Sequence, residues 1–315
     1  LEAIAEESLS RLVGLLGAAL PGHPSANDGI LRSSQESIHG FCTFILSVAW
    51  SLGFAQLLEE NKHMSAFKVA LGRLGFELDA RAGRAAHEVH DDSLRRLPWA
   101  PRSVEPTLAV RLPGMVTIHK PADWEVDGAA SEPGEHLPLS SYLQSLFRRS
   151  ECPLVWDTGQ SYGFLHRLDI PSSGLVLCGT SFQGYYALRL QLDTHRLRRE
   201  YLVLGHNMAP SGLTEIVARM DVAPDPSQRK SISDSGRPSQ TMLVVSAHVR
   251  QRQAGLPEPG GNMFITAIRI ATGRRHQIRA HMRHAGHPSI ADARYTCREV
   301  RVAADRDSQN SSSNA

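Results

Sequence analysis

Five short runs rich in Val, Ile, Leu and Thr, at residues 115–119, 174–178, 200–205, 240–249 and 263–270, limit the folds open to this chain. Turn-forming residues bound each run. Such segments are strands, because β-branched side chains pack well on a pleated surface and Gly, Pro, Asn and Asp punctuate it. Helical spacing interrupts them at 182–192 and 275–285. Strands in series with occasional helices lack the strict alternation of a doubly wound sheet, so the expected class is α+β.

Ahead of the strands, residues 4–81 read as helices. Apolar side chains recur at Leu9, Leu12, Leu15 and Leu16, through an uncharged run at 41–58, and at Phe67, Ala70, Leu71 and Leu74. The uncharged run is near the lower length limit for a membrane span. Thr43, Ser47, Ser51, Gly53 and Gln56 interrupt it and Glu59 and Glu60 follow, so a buried helix is expected and no membrane partner. Residues 82–111 mix charge with Pro98, Pro101 and Pro106, a composition that punctuates rather than packs. The expected organisation is a helical module over 1–81, a linker over 82–111, a strand-rich domain over 112–302 and a disordered Ser- and Asn-rich tail over 303–315. Residues 253–262, with Pro257, Pro259, Gly260 and Gly261, read as an exposed loop.

The 315 residues suffice for two domains, and 41% hydrophobic with 21% charged residues is the balance of a folded chain. A formal charge of +2 does not by itself signal nucleic acid, so clusters of basic residues must decide that question. Cys42, Cys152, Cys178 and Cys297 are scattered, which points to a reducing, intracellular compartment, cytoplasm or organelle. The chain opens at Leu1 with Glu2, Glu6 and Glu7 following, unlike an acid-poor transit peptide, and reads as a fragment.

Three segments carry chemistry. In the first, His166-Arg167-Leu168-Asp169 precedes a small-residue turn and an apolar strand, which puts Asp169 on a loop at a strand's entrance. An aspartate on a loop is commonly a turn former, so the tetrad needs company. Thr272-Gly273-Arg274-Arg275-His276-Gln277-Ile278-Arg279 supplies it: a glycine turn opens a helix on which His276, Arg279 and Arg283 share a face. An arginine-rich helix start suits a phosphate or an aspartate that must stay ionised. The third segment, Arg199-Glu200-Tyr201, begins a strand with a basic residue and an aromatic. The basic cluster from His195 to Arg199 could meet phosphates or be plain surface.

Together with Ser172-Ser173-Gly174-Leu175, His119-Lys120-Pro121 and a closing Gly286-His287-Pro288 that leads to Asp292 and Tyr295, these motifs resemble the RluA-like family of RNA pseudouridine synthases over roughly 112–300. The resemblance implies a mixed, mostly antiparallel sheet with flanking helices. It implies Asp169 as the catalytic carboxylate, Tyr201 as the aromatic beneath the target base, and Arg279 as the ion-pair partner of Asp169. Arg167 would fill the place of the flipped nucleotide, and His166, Lys120, Arg274, Arg275, His276 and Gln277 would meet RNA. Isomerising uridine needs no cofactor and no metal, and the implied partner is ribosomal, transfer or messenger RNA, bound by a monomer. Three positions depart from the family pattern. Ala122-Asp123-Trp124-Glu125 follows Lys120-Pro121 where a small residue and glycine are usual, Ser172 stands for threonine, and Ala291 stands for glycine. Beyond Tyr295 the family's closing strand is replaced by Val300-Arg301-Val302.

Two other readings compete. His281, His284 and His287 recur every third residue ahead of Asp292, a spacing that can gather a metal, but His287 precedes Pro288 and no His-Glu-x-x-His arrangement is present. A catalytically inactive RNA-binding module on the same fold would keep the basic surface without the reaction. A serine hydrolase is disfavoured, because Ser172 and Ser173 lack a Gly-x-Ser-x-Gly elbow.

Overall fold

A computed structural model of the chain describes residues 34–54, 58, 63–87, 93–94, 104–127, 137–221, 232–250 and 262–296. The helices expected before residue 34, most of the 253–262 loop, Val300-Arg301-Val302 and the 303–315 tail lie outside them. The chain divides into two compact units, Leu1–Leu197 and Arg198–Ala315.

In the first unit, helix α1 spans Gln35–Phe54 and α2 spans Ser65–His87. Ile38, Cys42, Ile45, Ala49 and Leu52 make a buried stripe along α1, and Met64, Phe67, Leu71, Leu74 and Leu78 make the matching one on and just before α2. Both stripes close on helix α4, Phe182–Asp193, through Phe182, Tyr186 and Leu190. The three helices share one core, in which each fully buried Ile, Leu, Phe or Met side chain contributes about 1.5–3 kcal/mol. Helix α2 runs past the expected module end at 81, to His87. Among the described residues no helix is long and apolar enough to cross a membrane.

A three-stranded antiparallel sheet orders β1 (Thr107–Leu112), β2 (Met115–Lys120) and β5 (Gly174–Gly179). Strand β1 falls where a linker was expected: it is almost wholly exposed and carries a bulge at Leu108/Val110, and flanking Pro106 and Pro113 read as punctuation. Pro113-Gly114 turns β1 into β2, with Gly114 at a φ of 77° that a glycine adopts freely. Two-residue strands β3 (Trp124–Glu125) and β4 (Leu137–Pro138) pair in parallel, and α3 (Leu139–Leu146) follows. Val116, Ile118, Trp124, Leu143, Val155 and Val176 form a second core beneath this sheet.

The second unit is a four-stranded antiparallel sheet in the order β6 (Arg199–His206), β9 (Asn262–Ile270), β8 (Arg237–Arg250), β7 (Glu215–Met220). Helix α5, Gln277–His284, buries Met282 against Phe264, Ile268 and Leu243. The strands foreseen in the sequence are present with ends shifted by at most a few residues, and β7 is additional. Its alternation of Ile216, Ala218 and Met220 with Glu215, Val217 and Arg219 is too short to stand out.

Candidate active site

In the first unit, the loop that carries Asp169 leaves a pair of 3-10 turns and returns into β5. On the way Leu165 N–H donates to the Leu177 carbonyl and Leu177 N–H donates to His166 Nε2 at 3.3 Å, so 165–166 runs beside the strand. The chain then reverses at Asp169, whose carbonyl accepts Ser172 N–H at 2.9 Å. Leu168 packs into the core on one side of the aspartate. On the other side, the Ile170 carbonyl accepts both Asp123 N–H at 2.8 Å and Lys120 Nζ at 3.1 Å. The carboxylate therefore stands on a backbone held at both flanks. Arg167 is exposed and reaches Asp127 at 3.3 Å.

The structure places Lys120, expected to meet RNA, in the interior: its side chain is 0% exposed. Its ammonium donates to the carbonyls of Pro121 at 3.0 Å and Trp124 at 2.8 Å as well as to Ile170. Burial lowers its pKa to about 8, against the pull of the Asp123 and Asp169 carboxylates. A buried charge is tolerated only with such partners.

The second unit holds the remaining residues. Tyr201 is half-buried on β6 and packs in one cluster with Phe264, Ile278 and Met282. Arg199 Nη2 donates to the Ala271 carbonyl at 3.1 Å, which braces the turn ahead of α5. Gln277 is buried, with its amide bonded within the protein. Its Oε1 accepts Thr272 Oγ1 at 2.8 Å and Arg274 N–H at 3.1 Å, while its Nε2 donates to the Gln240 carbonyl at 2.9 Å and Thr241 Oγ1 at 3.1 Å. The amide thus locks the start of α5 to β8. His276 is likewise buried, at a left-handed φ of 56°, with Nδ1 3.1 Å from the Tyr295 hydroxyl. Of the basic residues expected to meet RNA here, Arg275 is exposed and Arg274 partly so.

Arg279 makes a two-pronged ion pair with Asp292, Nε to Oδ2 and Nη2 to Oδ1, both at 2.7 Å. Its guanidinium carbon lies 4.9 Å from the centre of the Tyr295 ring. Asp292 Oδ1 also accepts the N–H groups of Arg294 and Tyr295. Burial alone pushes the Asp292 carboxyl up, yet the Arg279 bonds and charge with the two N–H groups outweigh it, and the net shift is down. Sequence reasoning placed Asp292 in the closing motif and beside the histidines of the metal reading, and gave it no part in the synthase site. The available signal was an aspartate two and three residues ahead of backbone N–H groups it could cap.

Both departures from the family's glycines fall on left-handed backbone: Asp123 at φ 66° and Ala291 at φ 58°. The three histidines at 281, 284 and 287 do not gather. Among the described residues no group of three or more His, Cys, Asp or Glu could hold a metal ion.

The family model for RNA pseudouridylate synthase matches residues 114–284. The chain belongs to that family, of the RluA-like type. It is 30% identical over 178 residues to ribosomal large subunit pseudouridine synthase D of Xylella fastidiosa, covering 56% of this chain and 48% of that protein. It is 31% identical over 194 residues to the dual-specificity RNA pseudouridine synthase RluA of Vibrio parahaemolyticus, covering 61% and 70%. The chain thus spans about half the length of several curated relatives it matches. Among solved structures, human RNA pseudouridylate synthase domain containing 1 aligns with a TM-score of 0.47 at 22% identity, over 64% of this chain and 74% of that one.

Proposed function

We propose that this chain is an RNA pseudouridine synthase that isomerises uridine in structured RNA, with Asp169 as its catalytic carboxylate. The bond from ribose C1′ to N1 breaks, the base turns, and C1′ bonds to C5. The C5 proton leaves and N1 gains one, so the reaction needs neither redox nor an external group. The carboxylate acts at the sugar as nucleophile or base. Tyr201 offers a ring for the base, and Arg279 the cation that keeps a carboxylate ionised. A base inside a duplex must first be extruded at a cost of a few kcal/mol, which stacking and backbone contacts offset. Arg167, exposed on the Asp169 loop, is the side chain assigned to the vacated stack.

The reading is carried by the Asp169 loop. Within the segment matched to the family, the carboxylate's neighbouring carbonyl is fastened by Lys120 and Asp123, which is how a reactive group is held ready rather than left to wander. The test is tritium release from RNA labelled at uridine C5, comparing the chain with Asp169→Ala and Asp169→Asn on total cellular transcripts. Release that vanishes in both variants, with RNA affinity retained, is the expected result. Salt-sensitive RNA binding without release from the parent chain would replace this reading with the inactive binding module.

A further inference from the structure

Asp292 has more bonds than a surface ion pair needs. Its side chain is 6% exposed and that of Arg279 18%. Oδ1 gathers Arg279 Nη2 and the N–H groups of Arg294 and Tyr295, while Oδ2 takes Arg279 Nε. A carboxylate so loaded has one orientation. The side-on mode through Nε and Nη2 fixes the guanidinium plane and gives its other edge a set direction.

The clamp is tied to the sheet at its other end. Just before Asp292, Ser289 bridges Gly205 of β6, Ile290 N–H donates to the Leu204 carbonyl at 2.9 Å, and His206 N–H donates to the Pro288 carbonyl at 2.9 Å. Residues 288–290 therefore lie along the edge of the strand that carries Tyr201. Just after Asp292, Tyr295 is 1% exposed; its ring faces the Arg279 guanidinium and its hydroxyl meets His276, the left-handed residue that opens α5. The 288–295 segment thus registers the start of α5 against β6 through one carboxylate and one aromatic.

We propose that Asp292 is a positioning residue, which together with Tyr295 orients Arg279 relative to the Tyr201 strand before any RNA arrives. The inference deepens the proposed function and rests on it for its catalytic consequence. An arginine already oriented costs no reorganisation when charge develops at its partner.

The experiment compares wild type with Asp292→Asn, Asp292→Glu and Arg279→Lys in C5 tritium release, at limiting and saturating RNA, beside the thermal midpoint. Asp292→Asn should lower kcat by about tenfold to a hundredfold with KM little changed. Asp292→Glu should restore part of the rate, and Asp292→Asn should cost nothing further on an Arg279→Lys background. Wild-type turnover in Asp292→Asn, or a loss that only tracks the unfolded fraction, overturns the proposal. Absence of release from wild type would sink the synthase reading instead. Positioning is then judged by the Arg279 Nε–H resonance, expected slow to exchange in wild type and fast in Asp292→Asn; equal exchange in both would overturn it.

Discussion

The carboxylate of Asp79 on α2 accepts the N–H of Phe182 at 2.6 Å through Oδ1, and that of Gln183 at 3.0 Å through Oδ2. These are donors that the first turn of α4 leaves without intrahelical partners, and Ser181 Oγ takes the next one, Gly184 N–H. A helix from the N-terminal region therefore caps a helix of the strand-rich domain. Asp79→Ala should lower unfolding free energy by about 1 kcal/mol, up to about 2, measured by urea titration. A change within error would mean that the cap contributes nothing.

Lys120→Met removes the ammonium and leaves three carbonyls short of a donor at one site. Each buried acceptor without a partner costs about 1–3 kcal/mol, so a loss of at least about 2 kcal/mol is expected. Turnover should fall further than stability explains, because the Ile170 carbonyl beside Asp169 loses one of its two donors. The salt dependence of RNA binding should not change. A phosphate contact would instead reduce the slope of log affinity against log salt by about one.

Asp123 and Ala291 occupy left-handed backbone that glycine enters without strain. Ala291→Gly should raise stability by about 1 kcal/mol, and Asp123→Gly by less, since aspartate tolerates this region better than alanine. Additive increases in thermal midpoint in the double variant are expected. A lowered midpoint in Ala291→Gly would show that chain entropy outweighs the relief of strain.

His281 on α5 is fully buried, and burial with His284 nearby lowers its pKa to about 4, against an opposing pull from the Ala218 carbonyl. The unfolded chain binds a proton there near pH 6.5, which the folded chain refuses until about 4. Stability from this group is thus complete above pH 6.5 and is lost as pH falls through the window toward 4, at no more than about 1.4 kcal/mol per unit. Urea titrations at pH 7.5 and 5 should show a smaller drop for His281→Leu than for wild type. Equal drops would assign the acid sensitivity elsewhere.

Much of the architecture is legible in the sequence because it rests on short-range pattern. The period-two runs of β2, β5, β6, β8 and β9 and the helical spacing of α4 and α5 depend only on which side chains alternate. The order of the His166–Asp169, Tyr201 and Thr272–Arg279 motifs states the family in the same way, since it is a property of the chain read end to end. β1 was hidden because an exposed edge strand between prolines lacks a buried face to impose alternation.

What only the tertiary structure decided is which partner each polar side chain finds. Sequence alone gives Lys120, His276 and Gln277 as residues able to bind RNA, and nothing local says they are buried. Lys120 meets Ile170 fifty positions away, and Gln277 meets Gln240 thirty-seven positions away. Arg279 reads as a cation in search of an anion, and the fold brings it Asp292 by returning 288–290 to the edge of β6. A charged group's role depends on what shares its burial, and burial is created by distant segments closing on one another.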